Sequence, residues 1–214
     1  MTGVGLEPSA HPLLGAEVED PDTGGLVLTG RVSRSTHPWT GDHTVHGRVL
    51  LPGTALLELA LQASDRTGCQ SIEELVLETP LRIPQSTGVR LRVGVSAADG
   101  TDRRTVTIWS RPEDEDPSWT RHASGRLAPG VGAGHHTPEL PWPPGDAARM
   151  PGDPYRELAA RGYEYGPVFQ GVRAVWTHGE AGRARDQGSR GPGRRHHTER
   201  HRPLRLAGLA CPPR

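Results

Sequence analysis

Val89, Leu91, Val93 and Val95 alternate with Arg90, Arg92, Gly94 and Ser96, so one face of this segment is apolar and the other is wet. A period of two marks a half-buried β-strand, and such a strand obliges the chain to supply a cover for its apolar face. The pattern returns after the turn signal Asp99-Gly100, where Val106 and Ile108 alternate with Thr105, Thr107 and Trp109. Three more stretches read as strands: Leu26-Val27-Leu28 with Arg31-Val32 after Gly24-Gly25, Leu75-Val76-Leu77 continuing to Leu81 and Ile83 before Pro84, and Trp119 to Leu127. The cover is Leu56, Leu57, Leu59, Ala60 and Leu61, crowded between Pro52-Gly53-Thr54 and Gly68. That run predicts a helix of about three turns, apolar nearly all round and therefore buried, with Thr54 as N-cap and Glu58 in the first turn. One buried helix enclosed by an antiparallel sheet is the layout expected for residues 11–128.

Outside that block the pattern thins. Residues 1–10 read as a disordered lead-in, and residues 129–152, with Pro129, Pro138, Pro141, Pro143, Pro144 and Pro151, as an extended linker. Order resumes over 153–180. Asp153 is an N-cap with Pro154 at the first helical position, Tyr155 to Arg161 is helical, Gly162 closes the helix, and Val172 to Trp176 reads as a strand. Residues 181–214 hold nine Arg and three His, with Asp186 and Glu199 as the acids and no Val, Ile, Phe, Tyr, Trp or Met. Such a segment buries too little apolar surface to offset chain entropy, and disorder is expected.

Composition narrows the function classes. Only 33% of residues are hydrophobic and 4% aromatic, and 28 Gly and 21 Pro point to long loops or an unstructured part. The formal charge is zero, which by itself argues for neither a nucleic-acid nor a membrane partner. No apolar run approaches the ~18 residues of a membrane span, and the N-terminus lacks a signal-peptide pattern. Cys69 and Cys211 lie far apart without metal-ligand spacing, which suits a reducing compartment, so a soluble, cytoplasmic protein is expected. All 25 basic residues are Arg, a trait of codon bias in a GC-rich genome rather than of selection at each site.

The candidate chemistry lies at the helix entrance. His43 titrates near neutrality and sits just upstream of a helix N-terminus, where amide donors and the dipole can hold a developing oxyanion. Pro52 and Gly53 set the entrance turn, and Gly47 lets backbone approach a ligand closely. Taken alone, a loop histidine is more often structural or simply exposed than catalytic. His46 reads as a solvent or strand-face residue. His135-His136 and His196-His197 lack a Cys or acid at metal-ligand spacing, and Cys69 has no histidine to activate it.

The segment His43-x-x-x-Gly47-x-x-x-x-Pro52 resembles the active-site motif of dehydratase domains of modular type I polyketide synthases. His11-Pro12-Leu13-Leu14-Gly15, His37-Pro38-Trp39, Leu51-Pro52-Gly53-Thr54-Ala55 and Tyr165-Gly166-Pro167-Val168-Phe169-Gln170-Gly171 follow the order of that family. The resemblance covers roughly residues 5–180. It implies an α+β double hotdog, two halves each wrapping a sheet around a helix. Here the first half, 11–128, is expected complete, and the second, from 153–180, truncated. It also implies elimination of water from a 3-hydroxyacyl chain carried on the phosphopantetheine arm of an acyl carrier protein, with no cofactor bound by the domain itself. His43 would accept the α-proton. Gly47, Pro52, Gly53, Tyr165 and Gly166 would border the substrate, the helix N-terminus near Gly53 supporting the thioester carbonyl. The partners implied are the carrier protein and other synthase domains, with no nucleic acid and no membrane; a homodimer is among the assemblies allowed.

One part of the family's pattern is missing. Its second-half aspartate, the acid for the departing hydroxyl, follows a His-Pro-x-Leu-Leu-Asp-like segment, and this sequence has none; Asp186 sits among Arg and Gly and does not inherit the role. The expectation is an impaired dehydratase. The alternative is a non-catalytic remnant that at most binds a carrier-tethered acyl chain. For the tail, a reading-frame slip in a GC-rich gene is favoured over a solvated extension and over nucleic-acid binding through phosphates.

Overall fold

The computed structural model describes residues 7–9, 11–114, 118–130 and 147–177. Its strands in chain order are β1 (Glu7–Pro8), β2 (Ala16–Asp20), β3 (Gly25–Ser33), β4 (His43–Val45), β5 (Arg48–Val49), β6 (Ser71–Leu77), β7 (Gly88–Val95), β8 (Arg104–Pro112), β9 (Thr120–Ala128), β10 (Ala148–Arg149), β11 (Tyr163–Tyr165) and β12 (Trp176–Thr177). Helix α1 (Gly53–Arg66) lies between β5 and β6, and α2 (Pro154–Ala160) between β10 and β11. Seven strands make one antiparallel sheet in the order β1-β2-β3-β7-β8-β9-β6, which packs around α1.

The period-two pattern of β7 is realised. Val89, Leu91, Val93 and Val95 are buried, while Arg90 and Arg92 face solvent. Their cover is the α1 face bearing Leu56, Leu59, Ala60 and Ala63, spaced by three and four residues as one helical face requires. Helix α1 is not apolar all round, as the sequence suggested. Leu57 and Leu61, four apart on the other side, are 41% and 42% exposed, so it is an amphipathic helix of 14 residues. Nor is Thr54 the N-cap. Pro52 precedes the first turn in an extended conformation, its carbonyl 2.9 Å from the Ala55 amide, and Thr54 and Glu58 lie within the helix.

The strand at Leu75–Leu77 stops there instead of reaching Ile83. Pro80 has no amide to donate to a ladder, and Leu81 and Ile83 turn inward to full burial. This segment is a strap pinned to the helix entrance: the Leu51 amide meets the Leu81 carbonyl at 2.8 Å, and the Ile83 amide meets Val49 at 3.0 Å. Two motifs named from sequence are also locked together. A His37 ring nitrogen lies 3.0 Å from the Pro12 carbonyl, and Gly30 lets the Leu13 carbonyl pass where a side chain would collide.

Asp153 does cap α2, accepting from the Tyr155 amide at 2.9 Å, with Pro154 in the first turn and Gly162 at φ +85° just beyond. Two segments expected to be irregular carry short strands instead. Glu7–Pro8 pairs with β2, and Ala148–Arg149 pairs with Trp176–Thr177, which is all the regular strand within the predicted 172–176 stretch. Cys69 is buried and free. Cys211, His135-His136, His196-His197, Asp186 and the whole 181–214 tail lie outside the described residues. Among the described residues, no helix is long and apolar enough to cross a membrane.

Candidate active site

His43 opens β4, which turns back into β5 through His46 and Gly47, both at positive φ (47° and 69°). Two consecutive left-handed residues make the tight hairpin turn whose twist matches antiparallel strands, and this is the reason for a glycine at 47; a Cβ there would meet nothing. The hairpin brings Leu50 back beside His43. The Leu50 amide donates to the His43 carbonyl (3.1 Å), and the His43 ring Nδ1 lies 3.0 Å from the Leu50 carbonyl. A carbonyl only accepts, so Nδ1 carries the proton and Nε2 presents its lone pair.

The environment keeps that tautomer uncharged. Burial holds the His43 imidazole below the usual histidine value, with the Leu50 hydrogen bond pulling the other way. Aromatic rings pack against the imidazole. Tyr165 stacks on the imidazole at 5.1 Å and 21°, Phe169 tilts against it at 5.1 Å, and Trp39 stands behind Phe169 at 6.2 Å. A neutral imidazole with one free nitrogen against apolar walls is a general base ready for use near pH 7.

The aromatic wall comes from the far end of the chain. β11 pairs antiparallel with β4, placing Tyr165 directly opposite His43 across more than 100 residues of sequence. Asp42 then holds the loop that follows: its carbonyl accepts from the Gly166 amide at 2.8 Å, and its carboxylate from the Val168 amide at 3.0 Å. Gly166 must be glycine because the Asp42 side chain occupies the space of its Cβ. The Gln170 side-chain amide closes the loop on the Tyr165 carbonyl at 2.7 Å.

At the helix entrance Pro52 is buried and Gly53 begins α1, its Cα so close to Leu77 that an added Cβ would lie 2.9 Å from that side chain. The Gly53 and Thr54 amides have no partner among the described residues, as expected of a first turn without a side-chain cap. They are therefore available to an oxyanion. Only Leu51 and Pro52 separate Leu50, which fixes the His43 ring, from these donors.

So the residues singled out from sequence fall into three settings. His43, Tyr165 and Gly166 gather at the β4–β11 contact, Pro52 and Gly53 form the helix entrance that follows in the chain, and Gly47 stands apart as a turn residue. Sequence reasoning missed Asp42 and the Leu50 carbonyl. An Asp beside the His was visible, but its partners lie 124 and 126 residues on, and a backbone carbonyl leaves no mark in composition. Among the described residues no cluster of three or more His, Cys, Asp or Glu could hold a metal.

A family model described as "Polyketide synthase dehydratase domain" matches residues 11–111, and one described as "Polyketide synthase dehydratase N-terminal domain" matches residues 135–189. The chain is 51% identical over 182 residues to polyketide synthase GfsA of Streptomyces halstedii, covering 83% of this chain and 2% of that protein. It is 48% identical over 185 residues to the pikromycin polyketide synthase component PikAII of Streptomyces venezuelae, covering 84% and 5%. Among solved structures, the dehydratase domain from the terminal module of the rifamycin polyketide synthase superposes with a TM-score of 0.74 at 43% identity, covering 82% of this chain and 64% of that one. The chain thus spans a small fraction of the curated synthases and under two thirds of the solved domain.

Proposed function

The chain belongs to the dehydratase domains of modular polyketide synthases, and from that premise we propose that His43 is the base of a 3-hydroxyacyl-thioester dehydration. The observation that carries this reading is the Nδ1–H bond to the Leu50 carbonyl, which leaves Nε2 unprotonated and ties His43 to the residue that leads, through Leu51 and Pro52, into the free amides of α1. The His43 Nε2 lone pair takes the α-proton, and the electron pair of that C–H bond moves toward the thioester carbonyl. The Gly53 and Thr54 amides support the oxygen as it gains charge. The pair then returns to form the α,β double bond as the C3–O bond breaks, and the hydroxyl leaves as water once it gains a proton. Tyr165, Phe169 and Trp39 exclude water from the imidazole, and Pro52, Gly53, Tyr165 and Gly166 border the acyl chain; Gly47 shapes the hairpin that carries His43.

The substrate would arrive on the phosphopantetheine arm of an acyl carrier protein, in the cytoplasm, beside other synthase domains. We divide the chain into an N-terminal hotdog, 11–128, and the opening of a second, 153–180. The proton for the leaving hydroxyl has no assigned donor in these 214 residues: Asp186 is the last Asp in the sequence and stands among Arg and Gly. Absence of one positioned proton donor lowers a rate by about 10²–10⁴-fold, so slow turnover is expected. The same absence favours a second reading, a binder of carrier-tethered chains that does not turn them over. The test is a 3-hydroxyacyl thioester on carrier protein, with formation of the enoyl thioester followed by mass spectrometry. Slow dehydration that disappears in His43→Ala supports the enzyme. No dehydration by the wild type refutes elimination and leaves the binder.

A further inference from the structure

Ser110 of β8 and His122 of β9 meet inside the core, 5% and 3% exposed, with Oγ and Nε2 2.7 Å apart. The other ring nitrogen, Nδ1, lies 2.8 Å from the Thr79 carbonyl. Since that carbonyl only accepts, Nδ1–H donates to Thr79, and the Ser110 hydroxyl donates to Nε2. The pair has the form of a nucleophile and its base, but both members are closed to solvent and handle no substrate. What the ring holds is backbone.

Thr79 begins the strap between β6 and β7. At its start the strap is fixed twice by the same residue: the Glu78 amide donates to the His122 carbonyl at 2.8 Å, and the His122 ring donates to Thr79. At its other end it is bonded to the helix entrance, Leu81 to Leu51, Arg82 to Leu50 as a bridge pair, and Ile83 to Val49. Leu50 supplies the carbonyl that sets the His43 tautomer, and Leu51 leads into Pro52 and the free amides of α1. Three hydrogen bonds, linked through the backbone of Thr79–Leu81 and of Leu50–Leu51, therefore join the buried His122 ring to the imidazole of His43.

We propose that His122 is a positioning residue for His43: its ring anchors the Thr79–Ile83 strap, and the strap holds the Leu50 carbonyl where it fixes the His43 ring with Nε2 free. A buried polar bond between a side chain and a loop carbonyl is otherwise hard to account for, because an apolar residue in β9 would pack the core equally well without a polar group to satisfy. The inference rests on the reading of His43 as the base, but its test does not need turnover.

Asn and Leu have nearly the same shape, and the Asn side-chain NH₂ can stand where the His Nδ1–H stands. His122→Asn thus keeps the donor to Thr79 and His122→Leu removes it, while both lose the Ser110 contact. The readout is the ¹⁵N NMR tautomer ratio of His43 in the whole chain. His122→Leu is expected to lower the Nδ1–H to Nε2–H ratio by about fivefold, the worth of one ordinary hydrogen bond, with His122→Asn within about twofold of wild type. Where the chain dehydrates, kcat falls in His122→Leu with KM nearly unchanged. An unchanged ratio in folded His122→Leu overturns the proposal, as does an equal loss in both variants. If His122→Leu does not fold, Ser110→Ala is read instead. It frees the ring at Nε2 only and is expected to move the ratio the same way by about twofold; no movement there overturns the proposal. A wild type that never dehydrates while the ratio behaves as stated refutes the proposed function and leaves this inference standing.

Discussion

Lowering the pH from 7.5 to 5 should weaken the fold before the hydrogen-bonded carboxylates named below are protonated, because three imidazoles are folded in their neutral form. Burial depresses His11, His43 and His122 below the usual histidine value, against an opposing pull from Glu58 on His11 and from carbonyl hydrogen bonds on the other two. In the unfolded chain each titrates near the ordinary value of about 6.5. Below that pH the unfolded chain binds protons that the folded chain does not, so stability is fully present above about pH 6.5 and declines as the pH falls toward the folded values. One full proton of difference is worth about 1.4 kcal/mol per pH unit, giving a ceiling of about 4 for three groups. Solvent screening around the partly exposed His43 ring and partial titration place the slope below that ceiling, with stability falling as the pH falls. The carboxylates of Asp20, Glu73, Glu78, Asp99 and Glu113 are held below their usual range by hydrogen bonds, so their contributions are lost only at lower pH. Urea unfolding followed by circular dichroism at half-unit pH steps measures the slope directly. His122→Asn removes one titrating group and should flatten it by about a third. A free energy of unfolding that stays level between pH 7.5 and 5.5 would refute the claim that these rings are held neutral in the fold.

Further outcomes follow from the packing and the loop. Leu59 is fully buried between α1 and the sheet, so Leu59→Ala should lower stability by about 2–5 kcal/mol in urea unfolding. Asp42→Ala removes the carboxylate that accepts from the Val168 amide, and hydrogen exchange at Val168 should quicken by about tenfold while the β7–β8 amides keep their protection. Gly47→Ala forces a side chain into positive φ and should cost about 1 kcal/mol in thermal unfolding, whereas His46→Asn, better suited to its own positive φ, should leave stability level or raised.

Much of this was legible in the chain because the signals are local. The alternation at Val89–Val95 and the apolar run after Pro52-Gly53 specify a half-buried sheet and its covering helix without knowledge of any contact. Asp153-Pro154 announced α2 for the same reason, since cap chemistry is complete within three residues. The errors lie where distant backbone decides. Leu81 and Ile83 have strand-like residues, but Pro80 interrupts the ladder and the helix entrance claims their amides and carbonyls. Leu57 and Leu61 are apolar and yet exposed, which periodicity cannot separate from burial when leucines crowd one turn. The pairing of β11 with β4 was beyond any local pattern, and it is this pairing that turns Tyr165 from a motif letter into a wall of the His43 site.

The central claim is that His43 removes the α-proton, and that step can be observed even where the leaving hydroxyl lacks its acid. A 3-hydroxyacyl thioester incubated with the chain in D₂O should take up deuterium at the α-carbon, read by mass spectrometry or by loss of the α-proton NMR signal, at a rate that falls at least about 100-fold in His43→Gln. Exchange that proceeds equally in wild type and His43→Gln, or that the wild type does not accelerate over buffer, would contradict the account.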